Sequence, residues 1–149
     1  MNNNSSPNTI VVNGVMYVRQ DTIAVDNRPI AERVKSYEDA CLVLGIEPAA
    51  SLPDVNTILG ESKSITAFAK LIVITRALNE GWSPNWNDGS EYKYYPWFKM
   101  NNSGSGLSYD VFGLWYTYSG VPARLCFKSF ELAEYAGNQF IELYTEYFL

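Results

Sequence analysis

The sequence predicts an α+β fold in a single domain, and three observations carry that prediction. An Asn13-Gly14 pair stands between two β-rich runs near the start. Two segments, 63–80 and 129–149, have helical hydrophobic spacing. Between them lie two alternating aromatic segments joined by "NNSGSG". Strands and helices therefore come in groups rather than in βαβ alternation. That grouping points to an antiparallel sheet packed against a long C-terminal amphipathic helix and a central buried helix.

Taken in order, residues 1–8 read as a short disordered tail, and 9–149 as the domain. In "TIVVNGVMYVR" the Asn-Gly pair suits a two-residue type I′ turn, so strands are expected near 9–12 and 15–19. "DTIAV" is a candidate third extended piece. Ser36, followed by Glu38 and Asp39, is a helix N-cap with acids in the first turn. Gly45 and Pro48 stop that helix, giving 37–44 with an irregular lead from Pro29. "SLPDVNTILG" gives a further helical turn with Pro53 at its start. In the 63–80 helix Ala67, Leu71, Ile74 and Leu78 share a face, and Phe68, Ile72 and Val73 widen it. A helix apolar almost all round lies in a core.

Of the 22 aromatic residues, 19 lie from Trp82 onward. "EYKYYPWFKM" and "LSYDVFGLWYTY" read as a hairpin with a long polar tip, and "ARLCFK" as a candidate third strand. In the last segment Ala133, Ala136, Phe140, Leu143 and Tyr147 repeat at helical spacing behind a Ser129 cap. Glu131, Glu134, Asn138, Glu142 and Glu146 fall on the other side, a face with four acids and no base.

Composition narrows the function. At 149 residues the chain can bury roughly 70% of its unfolded surface without disulfides or metals. Net charge is −5 and the basic residues are scattered, which argues against binding a nucleic acid backbone. Cys41 and Cys126 have apolar neighbours and read as buried free thiols. The start lacks a signal peptide's charged and apolar regions, and no apolar run spans a membrane. These features place the chain in the cytoplasm, or in a particle assembled there. There is no histidine, which removes the usual Ser-His-Asp and Cys-His systems and histidine zinc sites. No cofactor is implied.

The remaining chemical motifs have plainer explanations. "WND" at 86–88 occurs in calcium-binding C-type lectins, but calcium needs six to eight oxygens and only Asn87, Asp88 and Glu91 are near. Asp88 with Glu91, or Glu131 with Glu134, could form a catalytic carboxylate pair. The second pair reads as a wet helix face, and the first has only its aromatic neighbours to recommend it. "GSGLS" lacks the following helix and the lysine of a phosphate loop. A non-catalytic protein is the expectation.

The aromatic belt is the strongest signal. It comprises Trp82, Trp86, Tyr92, Tyr94, Tyr95 and Trp97, then Tyr109, Trp115, Tyr116 and Tyr118. Strand residues alternate between faces, so Tyr92, Tyr94 and Pro96 should take one side and Lys93, Tyr95 and Trp97 the other. With rings on both faces, one core cannot hide them all. Exposed Tyr and Trp with few charges nearby are residues of interfaces and stacking sites.

At "ALNEGW", "YKYYPWF" and "RLCFKSFELAEYAGNQF" the sequence resembles small uncharacterised proteins of Bacteroidetes bacteria and their phages, over about residues 63–149. The resemblance implies a phage or prophage origin and no catalytic residues. It also implies that the segment "MNNSGSGLSYDVFGLWYTYSGVPA" varies within a persistent frame.

The expected function is a binding protein whose aromatic hairpin, residues 82–118, meets a protein partner or a second copy of the chain. One rival is a small-molecule binder that holds a nucleotide or sugar between rings, with Arg124, Lys93 or Lys99 meeting any phosphate. Another is a virion component.

Overall fold

The computed structural model describes residues 9–12, 15–18, 26–53, 62–100, 106–118 and 120–149. The first hairpin forms as the Asn-Gly pair predicts. Strands β1 (Thr9–Val12) and β2 (Val15–Val18) run antiparallel, with Val12 opposite Val15. The expected extended piece at 21–25, and the part of the second helical turn beyond Pro53, lie outside the described residues.

After Pro29 comes a four-residue helix, α1 (Ile30–Arg33), and then α2 (Tyr37–Leu44). Ser36 caps α2 in a reciprocal box. Its hydroxyl accepts from the Asp39 amide at 3.0 Å, and the Asp39 carboxylate accepts from the Ser36 amide at 3.0 Å. Gly45 ends α2 in the left-handed region at φ 66°. A 3₁₀ turn, Ala49–Ser51, follows. Its Ser51 hydroxyl and the Pro48 carbonyl both meet the Tyr37 hydroxyl.

The central helix α3 (Ser62–Leu78) buries Ala67, Leu71, Val73, Ile74, Ala77 and Leu78, as its broad apolar face requires. It packs on α2 on one side and on the C-terminal residues on the other. Chain reversal follows at once, with Glu80 at φ 49° and Gly81 at φ 85°.

Strands β3 (Lys93–Met100) and β4 (Leu107–Trp115) form the second hairpin. Trp97 opposes Val111 and Phe98 opposes Tyr109, so Asp110 is an extra residue that bulges β4. The candidate third strand "ARLCFK" does not form. Only Phe127 bridges, exchanging both backbone bonds with Tyr94 at 3.1 and 2.7 Å. A turn precedes it, with the Leu125 amide bonded to the Pro122 carbonyl at 2.7 Å. By strand alternation Pro96 aims its nitrogen at the same open edge as Tyr94. Proline has no N–H to offer there, so it sits without loss and discourages a further strand.

The long C-terminal helix is two helices, α4 (Phe130–Gln139) and α5 (Ile141–Phe148), broken at Phe140 with φ −111°. Gly137, Asn138 and Gln139 precede the break, and glycine and asparagine are weak helix formers. The Asn138 side chain donates to the Glu134 carbonyl at 2.9 Å, competing with the backbone ladder. After the break Tyr144 enters the core, while Leu143 and Tyr147 are only half-buried.

The fold is thus α+β, with a two-stranded antiparallel sheet backed by helices. One core joins the first helices to the second hairpin and C-terminal helices, from Val34 and Cys41 through Leu71 and Ile74 to Phe127, Ala133 and Tyr144. Tyr135 donates to the Val34 carbonyl at 2.8 Å, and Ser64 to that of Tyr147 at 2.9 Å. Both cysteines are buried and free. Among the described residues no helix is long and apolar enough to cross a membrane.

Candidate functional site

The sheet sorts the aromatic belt by face. Tyr94, Phe98 and Phe112 pack against the core, with Pro96 and Leu107 buried beside them. Tyr109 belongs to the same face, meeting Phe98 edge to face at 6.2 Å. Helix α4 comes close enough here that its Gly137 cannot carry a side chain. A Cβ there would stand 2.8 Å from Cβ of Pro96 and 2.7 Å from Cε2 of Tyr109. Tyr94 and Tyr109 are therefore core-side residues, and burial raises the pKa of Tyr109.

The other face looks away from the helices. Trp97 is 54% exposed, Trp115 54% and Tyr118 64%, with Val111 half-exposed opposite Trp97. Tyr95 lies across its cross-strand partner Gly113, where a Cβ would come within 2.6 Å of the ring's Cζ. Glycine at 113 thus gives the Tyr95 ring a bed on the sheet. Tyr95 and Trp97 are 6.3 Å apart, and Trp115 and Tyr118 meet edge to face at 6.1 Å. Lys99 and Asp110 form an ion pair of 2.7 Å at the rim. Along the open edge of β3 runs a cavity of about 320 Å³, lined by Tyr95, Pro96, Trp97, Phe98, Leu107 and Phe148 among others. Among the described residues no lining residue is charged.

A third group holds the loop before β3. Lys93 has the outward parity expected of it, yet it is 0% exposed. Its ammonium donates to the Glu91 carbonyl at 3.0 Å, pairs with the Glu91 carboxylate at 3.0 Å, and lies 5.5 Å from the Trp86 ring centre. Tyr116 stacks on Tyr92 at 4.7 Å and donates to its hydroxyl at 2.8 Å, a bond that raises the Tyr116 pKa. Thr117 donates to the Asp88 carbonyl at 3.0 Å. Trp86, Tyr92 and Tyr116 are partly exposed but already partnered.

The carboxylates in this loop are spent too. Asp88 accepts from the Ser90 hydroxyl and amide at 2.6 and 2.8 Å, bonds that hold its pKa below the usual range. Glu91 also accepts from the Asn85 amide at 2.7 Å. Each acid is engaged in holding the loop. Among the described residues no group of three metal-ligating side chains is present.

Trp82 and Arg124 stand apart from the hairpin face. They line a separate cavity of about 170 Å³ with Arg76 and Asn79. Sequence reasoning overlooked Arg76, which reads as part of the apolar helix α3 although it stands only six residues before Trp82. It also offered Lys93 as a free cation, where the structure encloses it. The clue was a glutamate two residues before the lysine on the same strand face, with a nearby Trp.

Comparison with protein-family models, with curated proteins and with solved structures finds no match for this chain.

Proposed function

We propose that the chain is a non-catalytic interaction protein that binds a protein partner through the outward face of the β3–β4 hairpin. The observation that carries this reading is the pair Trp97 and Trp115, each more than half exposed on the sheet face that no helix covers among the described residues. Val111 and Tyr118 extend the patch, and the uncharged cavity beside Trp97 offers a socket for a partner's apolar side chain. A central apolar cluster beside a pocket, with one ion pair at its rim, has the make-up of an interface hot spot. Lys93 is enclosed, and Lys99, two residues from Trp97, is paired, which weakens a nucleotide reading for this face.

Burying the remaining half of each Trp would contribute about 2–3 kcal/mol by area. Trp97→Ala and Trp115→Ala should each weaken partner binding by roughly tenfold or more, with unfolding free energy changed by less than about 1 kcal/mol. The test is comparative affinity purification from expressing cells with wild type and the double variant, alongside sedimentation analysis for self-association. A protein, or a second copy, held by wild type and released by the variant supports the reading. Identical retention by both overturns it, and so does unfolding of each single variant, because the rings would then be core.

A further inference from the structure

Of the ten described cations in this acidic chain, five have a carboxylate within 4.0 Å among the described residues. These are Arg28, Arg33, Lys93, Lys99 and Lys128. Arg76 and Arg124 have none among the described residues. Both are solvent-exposed, and both line the same cavity of about 170 Å³. We propose that this cavity binds a small oxyanion, a phosphate or carboxylate group, free or at the end of a larger molecule whose apolar body rests on Trp82.

The walls are built and fixed. One wall is the last turn of α3, with Ile72, Thr75 and Arg76; the other is the turn before Phe127, with Ala123 and Arg124. Asn79 ties them together from a buried position. Its side chain donates to the Cys126 carbonyl at 2.9 Å and accepts from the Lys128 amide at 3.1 Å. Trp82 closes one side, swung back by the left-handed turn at Glu80 and Gly81 and held by its amide bond to the Asn79 carbonyl at 2.9 Å. The buried Thr75 hydroxyl lines the same region and has no hydrogen-bond partner among the described residues.

Charge selects the ligand. The nearest acid in sequence, Glu80, is turned to Lys128 at 3.1 Å and Arg33 at 3.9 Å. The carbonyl end of α3 presents about half a negative charge, which two full guanidinium charges outweigh. Guanidinium groups bind carboxylate and phosphate in a two-point fork. The volume is below the roughly 300 Å³ of a drug-sized site, so the cavity takes one small group. This site is independent of the outward hairpin face and stands or falls separately.

The test is a titration of the full chain at low ionic strength with inorganic phosphate and, in a second arm, with acetate. The readout is the NMR resonances of the arginine Nε–H groups and the Trp82 indole N–H. Saturable shifts at Arg76, Arg124 and Trp82, with Kd of about 1 mM or tighter in one arm, are expected. The tighter arm identifies the oxyanion. R76Q or R124Q should raise that Kd about tenfold, and the double variant should abolish saturation, while R124K retains weaker binding. Both positions are exposed, so remote resonances should stay in place and show the variants folded. No saturation in either arm, or saturation that survives the double variant, overturns the proposal.

Discussion

Lys93 shows how one side chain decides the character of a surface. A lysine fully enclosed in protein is tolerated because Glu91 supplies both a carboxylate and a carbonyl, and the Trp86 ring covers it. Removing one member of such a pair leaves the other charge buried alone, which costs more than replacing the lysine by an apolar residue of similar shape. Glu91→Gln should therefore destabilise the fold by about 3 kcal/mol, and Lys93→Met by clearly less. Urea unfolding of the two variants checks the order, and the reverse order would mean that the pair is not the loop's anchor. The alternation of β3 was legible in the sequence, and it put Lys93 on the correct face. What a strand pattern cannot contain is a loop folded over that face. The contacts of residues 82–92 are tertiary, so from the strand pattern alone Lys93 reads as a free cation, whereas in the fold Trp86 lies over it.

At the scale of elements, local signals were read correctly wherever they were self-contained. The Ser36 cap, the Gly45 stop and the paired strands around Asn13-Gly14 depend on short-range chemistry, and each stands where the residues put it. The misses have a common cause. "ARLCFK" alternates like a strand, but a strand needs an edge to pair with, and the nitrogen of Pro96 denies it one beyond Tyr94. The C-terminal segment repeats like one helix, but its backbone changes course at Phe140 behind Gly137. Gly137 is kept for contact with Tyr109 and Pro96 rather than for helix formation. Alanine there would gain about 1 kcal/mol of helix propensity but overpack the sheet contact at about 1–3 kcal/mol. Gly137→Ala is thus expected to lower the thermal midpoint. A rise would show that α4 can shift away freely. Gly113→Ala should lift the Tyr95 ring off the sheet and weaken partner binding more than it weakens folding.

For the molecule as a whole, the buried phenols and thiol set the response to pH. Burial pushes Cys126 up to about 11 from its ordinary 9.0, and raises Tyr109, Tyr135 and Tyr144 from 10.0. The unfolded chain ionises these groups first, so the stability they contribute is intact below about pH 9 and is lost as pH rises beyond it. Asp39 has the opposite sign. The Lys35 and Ser36 hydrogen bonds hold it below 3.8, so its contribution is present above that value and lost as pH falls through the acid range. Urea midpoints should form a plateau between these limits and decline on both sides. A midpoint still rising above pH 10 would contradict the burial of these groups. The excess of rings after Trp82 was visible in composition, but composition could not say which rings stay outside. Tyr94 and Tyr109 went to the core side, Trp86, Tyr92 and Tyr116 to the loop, Trp82 and Arg124 to the second cavity. Trp97, Trp115 and Tyr118 were left facing solvent. The most direct measurement of what they meet places a photo-crosslinking residue at Val111, opposite Trp97 on the same face, and another at Glu142 on the solvent side of α5, in living cells. The reading of the hairpin as an interface predicts a discrete crosslinked protein, or a crosslinked dimer, from position 111 and none from 142. Equal or absent crosslinking at both positions would contradict it.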